Sequence, residues 1–383
     1  MAARSMIDAV QDGPGAAPSR KPGLVSMGHA QRFWLRNKRR LAETRGIMDR
    51  RRFKALRQRF YETLWQEAAA CVGATTKAGP SGLTEIRRGD SVTFVRHADL
   101  MLDSEITIRL MANKALSYGW LAAKGYRVTP HVAFTLKSIN RADAFLATQN
   151  GPVVVKPADG TGGGRGITTG ITSRSAMEAA ARNAAGFHSD LLIETQLTGS
   201  SFRLLYFEGA FLDAVRRDSP QLTGDGKSTV RQLIEAETAD RLEGRPIRAL
   251  SPLVIDQECR NTLKSQGLTP AYTPHAGETL RIKLAVNENG ARQNRIVRHD
   301  IHRDIIDAGA RIVGELGVRF AGLDVTASDL SLPLSQTDAI FNEVNVNPGI
   351  HHHYLVANPE QSASVAPTIL ERMFESGAGT LRL

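Results

Sequence analysis

A lysine at the end of a β-branched run, followed by a loop dense in glycine, is suited to holding phosphate. Val153-Val154-Val155 runs into Lys156 and Pro157, glycines stand at 160, 162, 163, 164 and 166, and Ile167-Thr168-Thr169 follows. Glycine has no Cβ, so backbone N–H groups can converge on a bulky anion. Lysine adds a compact point charge for a phosphate oxygen. Strand, loop and strand in this order predict a hairpin closing over a triphosphate. A flexible surface linker is the plain alternative, but a linker rarely sits between two β-branched runs with a lysine at its edge. Two better-known phosphate motifs fail. In the GxGxxG pattern, Gly160-x-Gly162 lands on Arg165 and Gly162-x-Gly164 on Ile167. Gly226-Lys227-Ser228 resembles the end of a Walker A loop, but its required first glycine falls on Gln221.

The second chemical set lies near the end of the chain. Strand alternation places Glu343, Asn345 and Asn347 on one face, with Ile340, Val344 and Val346 on the other. On the preceding strand Asp324 alternates with Leu323 and Val325. If these strands are neighbours, Asp324, Glu343 and Asn345 make an all-oxygen cluster suited to Mg²⁺ held partly by nucleotide phosphates. The competing reading makes one carboxylate a salt-bridge partner and gives the asparagines to the turn at Asn347-Pro348-Gly349. His351-His352-His353 invites a zinc reading, which alternation along an extended chain disfavours. One histidine touching substrate and two in structural roles fits better.

The elements that must carry these residues follow from periodicity. Phe53, Leu56, Phe60 and Leu64 recur at helical spacing and predict a helix over about 31–70. Hairpin signals flank Arg88-Gly89-Asp90, and helices are expected over 104–113, 114–124, 142–148, 173–185, 256–266, 302–316 and 363–375. Strands are expected over 191–194, 202–207, 211–216, 280–284, 320–326 and 339–345, with 219–227 as a loop opening a helix at Ser228.

Composition narrows the class. The 383 residues allow two or three domains and an ample core. No apolar run is long enough for a bilayer, the first thirty residues lack the apolar stretch of a secretory leader, and Cys71 and Cys259 stand far apart. A reduced, cytoplasmic protein is expected. Between Gln31 and Phe60, twelve Lys and Arg face two acidic residues, so the net charge of +10 is one local feature. Such a helix can meet nucleic acid, a membrane surface or an acidic polymer, but a solvated face over a packed stripe is favoured. Without interleaved exposed aromatics, nucleic acid ranks behind the other partners.

Together the motifs resemble the ATP-grasp superfamily, and within it look most like the ATP-grasp portion of cyanophycin synthetases, with D-alanine–D-alanine ligases and glutathione synthetases as relatives. The stretches that carry this are Asn113-Lys114, 153–167, 194–199, 203–217, 223–229, 322–326 and 342–349, in that order. The resemblance implies an α+β/α/β fold in which nucleotide is held between two α+β subdomains. Composition and periodicity, not the resemblance, predict a disordered tail over 1–30 and a basic helical extension over 31–75, and an α/β region is expected over 76–135 ahead of the grasp. The subdomain with the glycine hairpin would span 136–218, and the one with the Mg²⁺ site 219–383. Lys114 and Lys156 would contact ATP phosphates beneath Gly160, Thr161, Gly162, Gly163, Gly164 and Gly166. Glu194, Thr195, Gln196 and Leu197 would line adenine. Asp324, Glu343 and Asn345 would bind Mg²⁺ (or Mn²⁺), and Arg203, Arg216 or Arg217 would steady substrate or phosphate during catalysis.

The implied reaction turns a carboxylate into an acyl phosphate with ATP, and an amine then displaces phosphate to form an amide. Expected substrates are amino acids or peptides, with an acidic polymer or protein tail as a further partner, and a homo-oligomer stays open. The rival reading is a non-catalytic nucleotide-binding or nucleic-acid-associated protein acting through the basic helix.

Overall fold

The computed structural model describes residues 44–159 and 165–383. The expected tail over 1–30, the basic helix as far as 43, and Gly160, Thr161, Gly162, Gly163 and Gly164 lie outside the described residues. In chain order the first elements are α1 (Thr44–Cys71), β1 (Thr75–Ala78), β2 (Thr84–Arg88), β3 (Ser91–Val95), α2 (Glu105–Ala112) and α3 (Lys114–Ala123). Next come β4 (His131–Phe134), α4 (Ile139–Ala147), β5 (Val153–Pro157), β6 (Thr168–Ile171), α5 (Arg174–Ala185) and β7 (Leu191–Thr195). They are followed by β8 (Ser200–Phe207), β9 (Ala210–Arg217), β10 (Gln221–Thr223), α6 (Val230–Glu243), α7 (Gln257–Ser265) and β11 (Thr279–Arg281). The remainder is β12 (Asn294–Ile296), α8 (Arg303–Glu315), β13 (Phe320–Ala327), β14 (Ile340–Val346), α9 (Val365–Ser376) and β15 (Leu381–Arg382). The packing divides the described chain into two units.

The first unit comprises 109–197 with 340–343. Its antiparallel sheet runs β4-β7-β5-β6, so the two strands of the glycine hairpin are neighbours. Helix α5 buries Met177, Ala180, Ala181, Ala184 and Ala185 at helical spacing. These small residues let the helix sit close over Val153, Val155, Ile171, Leu191 and Ile193. Ser173 caps its N-terminus by accepting the Ala176 N–H at 3.3 Å.

The second unit comprises 44–108, 198–339 and 344–383. Its main sheet has the order β12-β9-β8-β13-β14, antiparallel from β12 to β13. Strand β8 is buried along most of its length, which is why Phe202–Phe207 reads as a nearly unbroken apolar run. Helix α8 covers the sheet with Ile305, Ala308, Ile312 and Val313. A second sheet, β1-β2-β3-β15, joins early and late parts of the chain.

Helix α1 belongs to this unit's core. Phe53, Leu56, Tyr61, Leu64, Trp65, Ala68 and Ala69 are buried, while Arg51, Arg52, Lys54, Arg57 and Arg59 are exposed. The buried stripe runs through Tyr61, with Phe60 half-buried beside it, because the tightly packed face follows the turn from Leu56 to Leu64. The span 219–227 carries the short strand β10, which pairs with β11 and was expected as loop. Among the described residues no helix is long and apolar enough to cross a membrane.

Candidate active site

In the first unit, Lys156 lies on β5 and Glu194 on β7, one step apart diagonally, since Val154 is opposite Glu194 and Lys156 opposite Leu192. Lys156 Nζ donates to Glu194 Oε1 at 2.6 Å and to the Tyr118 hydroxyl at 3.3 Å. The Tyr118 hydroxyl donates to Glu194 Oε2 at 3.2 Å. All three side chains are buried, so each polar group is satisfied within the set. Burial first, and then Glu194, raises the Tyr118 hydroxyl well above its ordinary value, which keeps it a donor. Tyr118 went unread in the sequence. The available signal was its place four residues after Lys114, on the same face of α3.

Lys114 opens α3 behind the Asn113 cap and pairs with Glu343 at 3.1 Å within the same unit. Its backbone N–H donates to the Ala158 carbonyl at 3.1 Å, tying the helix start to the end of the lysine strand. Gly166 has φ +83, and a Cβ there would come within 2.7 Å of the Phe187 ring. Both the backbone and the close approach therefore require glycine where the hairpin re-enters β6. The Thr195 and Gln196 N–H groups donate to Pro130 and Pro152 carbonyls, both at 3.0 Å. Gln196 Oε1 accepts the Gly170 N–H at 2.6 Å. The sheet thus uses the N–H groups of this stretch.

In the second unit, Asp324 on β13 lies directly opposite Arg203 on β8. Arg203 grips it bidentately, Nε to Oδ1 at 2.7 Å and Nη2 to Oδ2 at 2.8 Å. Arg217 adds a contact to Oδ2 at 3.0 Å. Burial pushes the Asp324 carboxyl up, but the Arg203 and Arg217 guanidiniums outweigh it and hold it below the ordinary range. Arg216 falls on the other face of β9 by strand alternation and pairs with Asp218 at 3.0 Å. Asn345 donates to the Gly322 carbonyl at 3.4 Å. Of the expected metal ligands, Glu343 belongs to the first unit, and Asp324 and Asn345 to the second.

Within each unit the donor types suit a hard cation. A carboxylate has about four lone-pair positions, and the arginines occupy three on Asp324. Asn345 offers a carbonyl oxygen and Glu343 a carboxylate, and taken singly these are the donor types that Mg²⁺ or Mn²⁺ takes.

The histidine run is a 3₁₀ turn, Ile350–His353, and not the extended chain expected from the sequence. His353 Nδ1 lies 2.8 Å from Asp213 Oδ2, both fully buried, and His351 Nδ1 lies 2.9 Å from the Tyr61 hydroxyl. Among the described residues no group of three or more His, Cys, Asp or Glu is arranged to hold a metal ion.

The turn at Gly224–Ser228 has a role of its own. Asp225 Oδ1 accepts the Lys227 and Ser228 N–H groups at 2.9 and 2.7 Å. The donors that a Walker-type loop would offer to phosphate are therefore taken up by a side chain.

No family model matches the chain. The cyanophycin synthetase of Trichormus variabilis is 28% identical over 298 residues, 76% of this chain and 32% of that protein. The cyanophycin synthetase of Synechocystis is 32% identical over 235 residues, 59% of this chain and 26% of that protein. The glutathione biosynthesis bifunctional protein GshAB of Enterococcus faecalis is 26% identical over 275 residues, 70% of this chain and 36% of that protein. Among solved structures, a bifunctional glutathione synthetase from Pasteurella multocida superposes with TM-score 0.51 at 22% identity, covering 83% of this chain and 45% of that one. The chain spans about a third of the length of the curated relatives it matches.

The strands of the glycine hairpin and the sheets around them make the fold of the ATP-grasp superfamily. The chain is akin to the carboxylate–amine ligases of that superfamily, and the resemblance read from its motifs stands.

Proposed function

We propose that the chain is an ATP-dependent ligase that joins a carboxylate to an amine, releasing ADP and phosphate. The observation that carries this reading is Lys156, buried against Glu194 and Tyr118 at the edge of the glycine loop of an ATP-grasp fold. A lysine held in this way is preorganised, so its charge meets a phosphate without first being ordered. Lys114 lies on the same unit, tied to the end of the Lys156 strand by its backbone. Both lysines, with Gly166 and the loop residues 160–164, are the proposed phosphate contacts. Glu194, Thr195, Gln196 and Leu197 are proposed to border the base, and the N–H groups of Thr195 and Gln196 are spent in the sheet. Carbonyls and side-chain carbon remain for that role.

Asp324, Glu343 and Asn345 are the residues proposed to hold Mg²⁺, which supplies charge neutralisation for phosphoryl transfer when bound. Arg203 and Arg217 hold Asp324, and their guanidinium charge is proposed to steady the acyl phosphate. The ATP γ-phosphoryl group passes to the carboxylate oxygen with loss of ADP. The amine nitrogen then attacks the acyl carbon, the C–O bond to phosphate breaks, and the amine loses a proton. The names of the relatives point to an amino acid or peptide as substrate.

The test is ADP and phosphate release from ATP with Mg²⁺ across pools of amino acids and short peptides. Wild type is compared with Lys156→Ala and Glu343→Ala. Substrate-dependent release that both variants lose is the expected result. ATP binding with no release in any pool would move weight to a nucleotide-binding role without catalysis. The buried stripe of α1 counts against a free basic helix as the working part of that rival.

A further inference from the structure

Helix α1 brings a side chain to the histidine turn that follows β14. The Tyr61 hydroxyl and His351 Nδ1 are 2.9 Å apart, and Tyr61 is 3% exposed. Which of the two carries the shared hydrogen follows from hydrogen-bond accounting. The backbone N–H of His351 also faces the Tyr61 oxygen. Among the described residues the hydroxyl has no acceptor other than Nδ1. If Nδ1 held the hydrogen, the buried O–H would donate to nothing, which costs about 1–3 kcal/mol. Tyr61 therefore donates, Nδ1 accepts, and the ring hydrogen sits on Nε2.

His351 is half-buried, and among the described residues its Nε2 meets no partner. Its ring is fixed on the other side as well. A Cβ on Gly349 would lie 2.6 Å from His351 Cε1, so the imidazole rests directly on the backbone of the Asn-Pro-Gly turn. The His352 ring stacks on it at 4.1 Å. The surroundings are cationic. Burial, then Arg57 and Arg203, push the His351 imidazole down to about 3. Asp324 brings one negative charge to the two guanidiniums that hold it.

We infer that Tyr61 sets the tautomer of His351, so that its Nε2–H is a hydrogen-bond donor for an oxyanion on the substrate side of the site. That oxyanion is a carboxylate or a phosphoryl oxygen, which share the same chemistry here. The inference rests on the ligase reading for the identity of the substrate, and on the geometry alone for the donor. It makes His351 a binding residue and Tyr61 a positioning residue, and it draws the N-terminal helix, which the family resemblance does not cover, into the site.

The experiment uses the full chain labelled with ¹⁵N-histidine, with His351 assigned through the signal lost in His351→Gln. Wild type should show Nδ1 unprotonated and Nε2 protonated. Succinate and inorganic phosphate are then titrated separately, and the probe that moves the Nε2 signal names the oxyanion. Tyr61→Phe should keep the circular dichroism and melting temperature of wild type, mix the tautomers and weaken that probe about fivefold. His351→Gln places an amide N–H near the Nε2 position. It should keep most of the affinity and make a further Tyr61→Phe change silent. A wild-type hydrogen on Nδ1, or a signal that neither probe moves, would overturn the inference. ADP release by wild type reports the ligase reading separately, so failure of one does not pass for failure of the other.

Discussion

Lys156 and Glu194 show how much one buried pair can decide. Removing the lysine leaves a carboxylate in the interior without its counter-charge, and such breaks cost about 3–5 kcal/mol. Lys156→Ala should therefore lose ATP affinity and also lower the urea midpoint, whereas Lys156→Ala/Glu194→Ala should recover most of the midpoint but not the affinity. Denaturant unfolding beside nucleotide titration separates the two effects. Lys156 was legible because lysine at a strand end before glycines has few other uses. Its partners were not, since the diagonal step from β5 to β7 depends on a register that joins distant stretches. The same limit hid the Arg203 grip on Asp324. Both residues were picked out, one as a substrate contact and the other as a metal ligand, and the competing salt-bridge reading named no partner for the carboxylate.

At the level of elements, the long periodic segments were legible and the short strands β1, β10, β12 and β15 were not. β1, β12 and β15 have too few residues to show an alternation, and they exist because a neighbouring edge accepts them. Helix α1 was readable as a helix with an apolar stripe, but its burial depends on what it packs against. Trp65 is 1% exposed and donates to the His97 carbonyl at 2.7 Å. Trp65→Ala should cost about 3–5 kcal/mol, read as a fall in melting temperature. Deleting residues up to 71 should give an insoluble chain, measured as the soluble fraction on expression, because it strips this core. The Asp225 turn gives a pH prediction. Hydrogen bonds from the Ser228 and Lys227 N–H groups lower its carboxyl from 3.8 to about 2. Its folded value is the depressed one, so its stabilisation is full above 3.8 and disappears as pH falls through 2. Asp225→Ala should melt below wild type at pH 7, and the gap should close near pH 2.

For the molecule as a whole, nucleotide binding and stability are linked. A ligand that binds only the folded chain, at a hundred times its Kd, adds about 2.7 kcal/mol. ATP with Mg²⁺ should raise the melting temperature of wild type, and Lys156→Ala should lose that rise. No change in wild type at millimolar ATP would count against nucleotide binding at this site.

The sheet β1-β2-β3-β15 carries a consequence for how the chain is made. The strand that completes it, Leu381–Arg382, pairs with Ser91 and Val92, and helix α9 packs in the core that α1 also fills. On the ribosome the first unit has nearly all its residues once 197 has emerged. Helix α1 can meet Ile86, Val95, Ala98 and Leu100 soon after it is made, but the part of its stripe that α9 covers must wait until almost the whole of this sequence has been translated. A segment synthesised early but buried in full only late is a natural client for chaperones. Slow translation should protect the first unit and leave that part of the opening helix exposed to proteases.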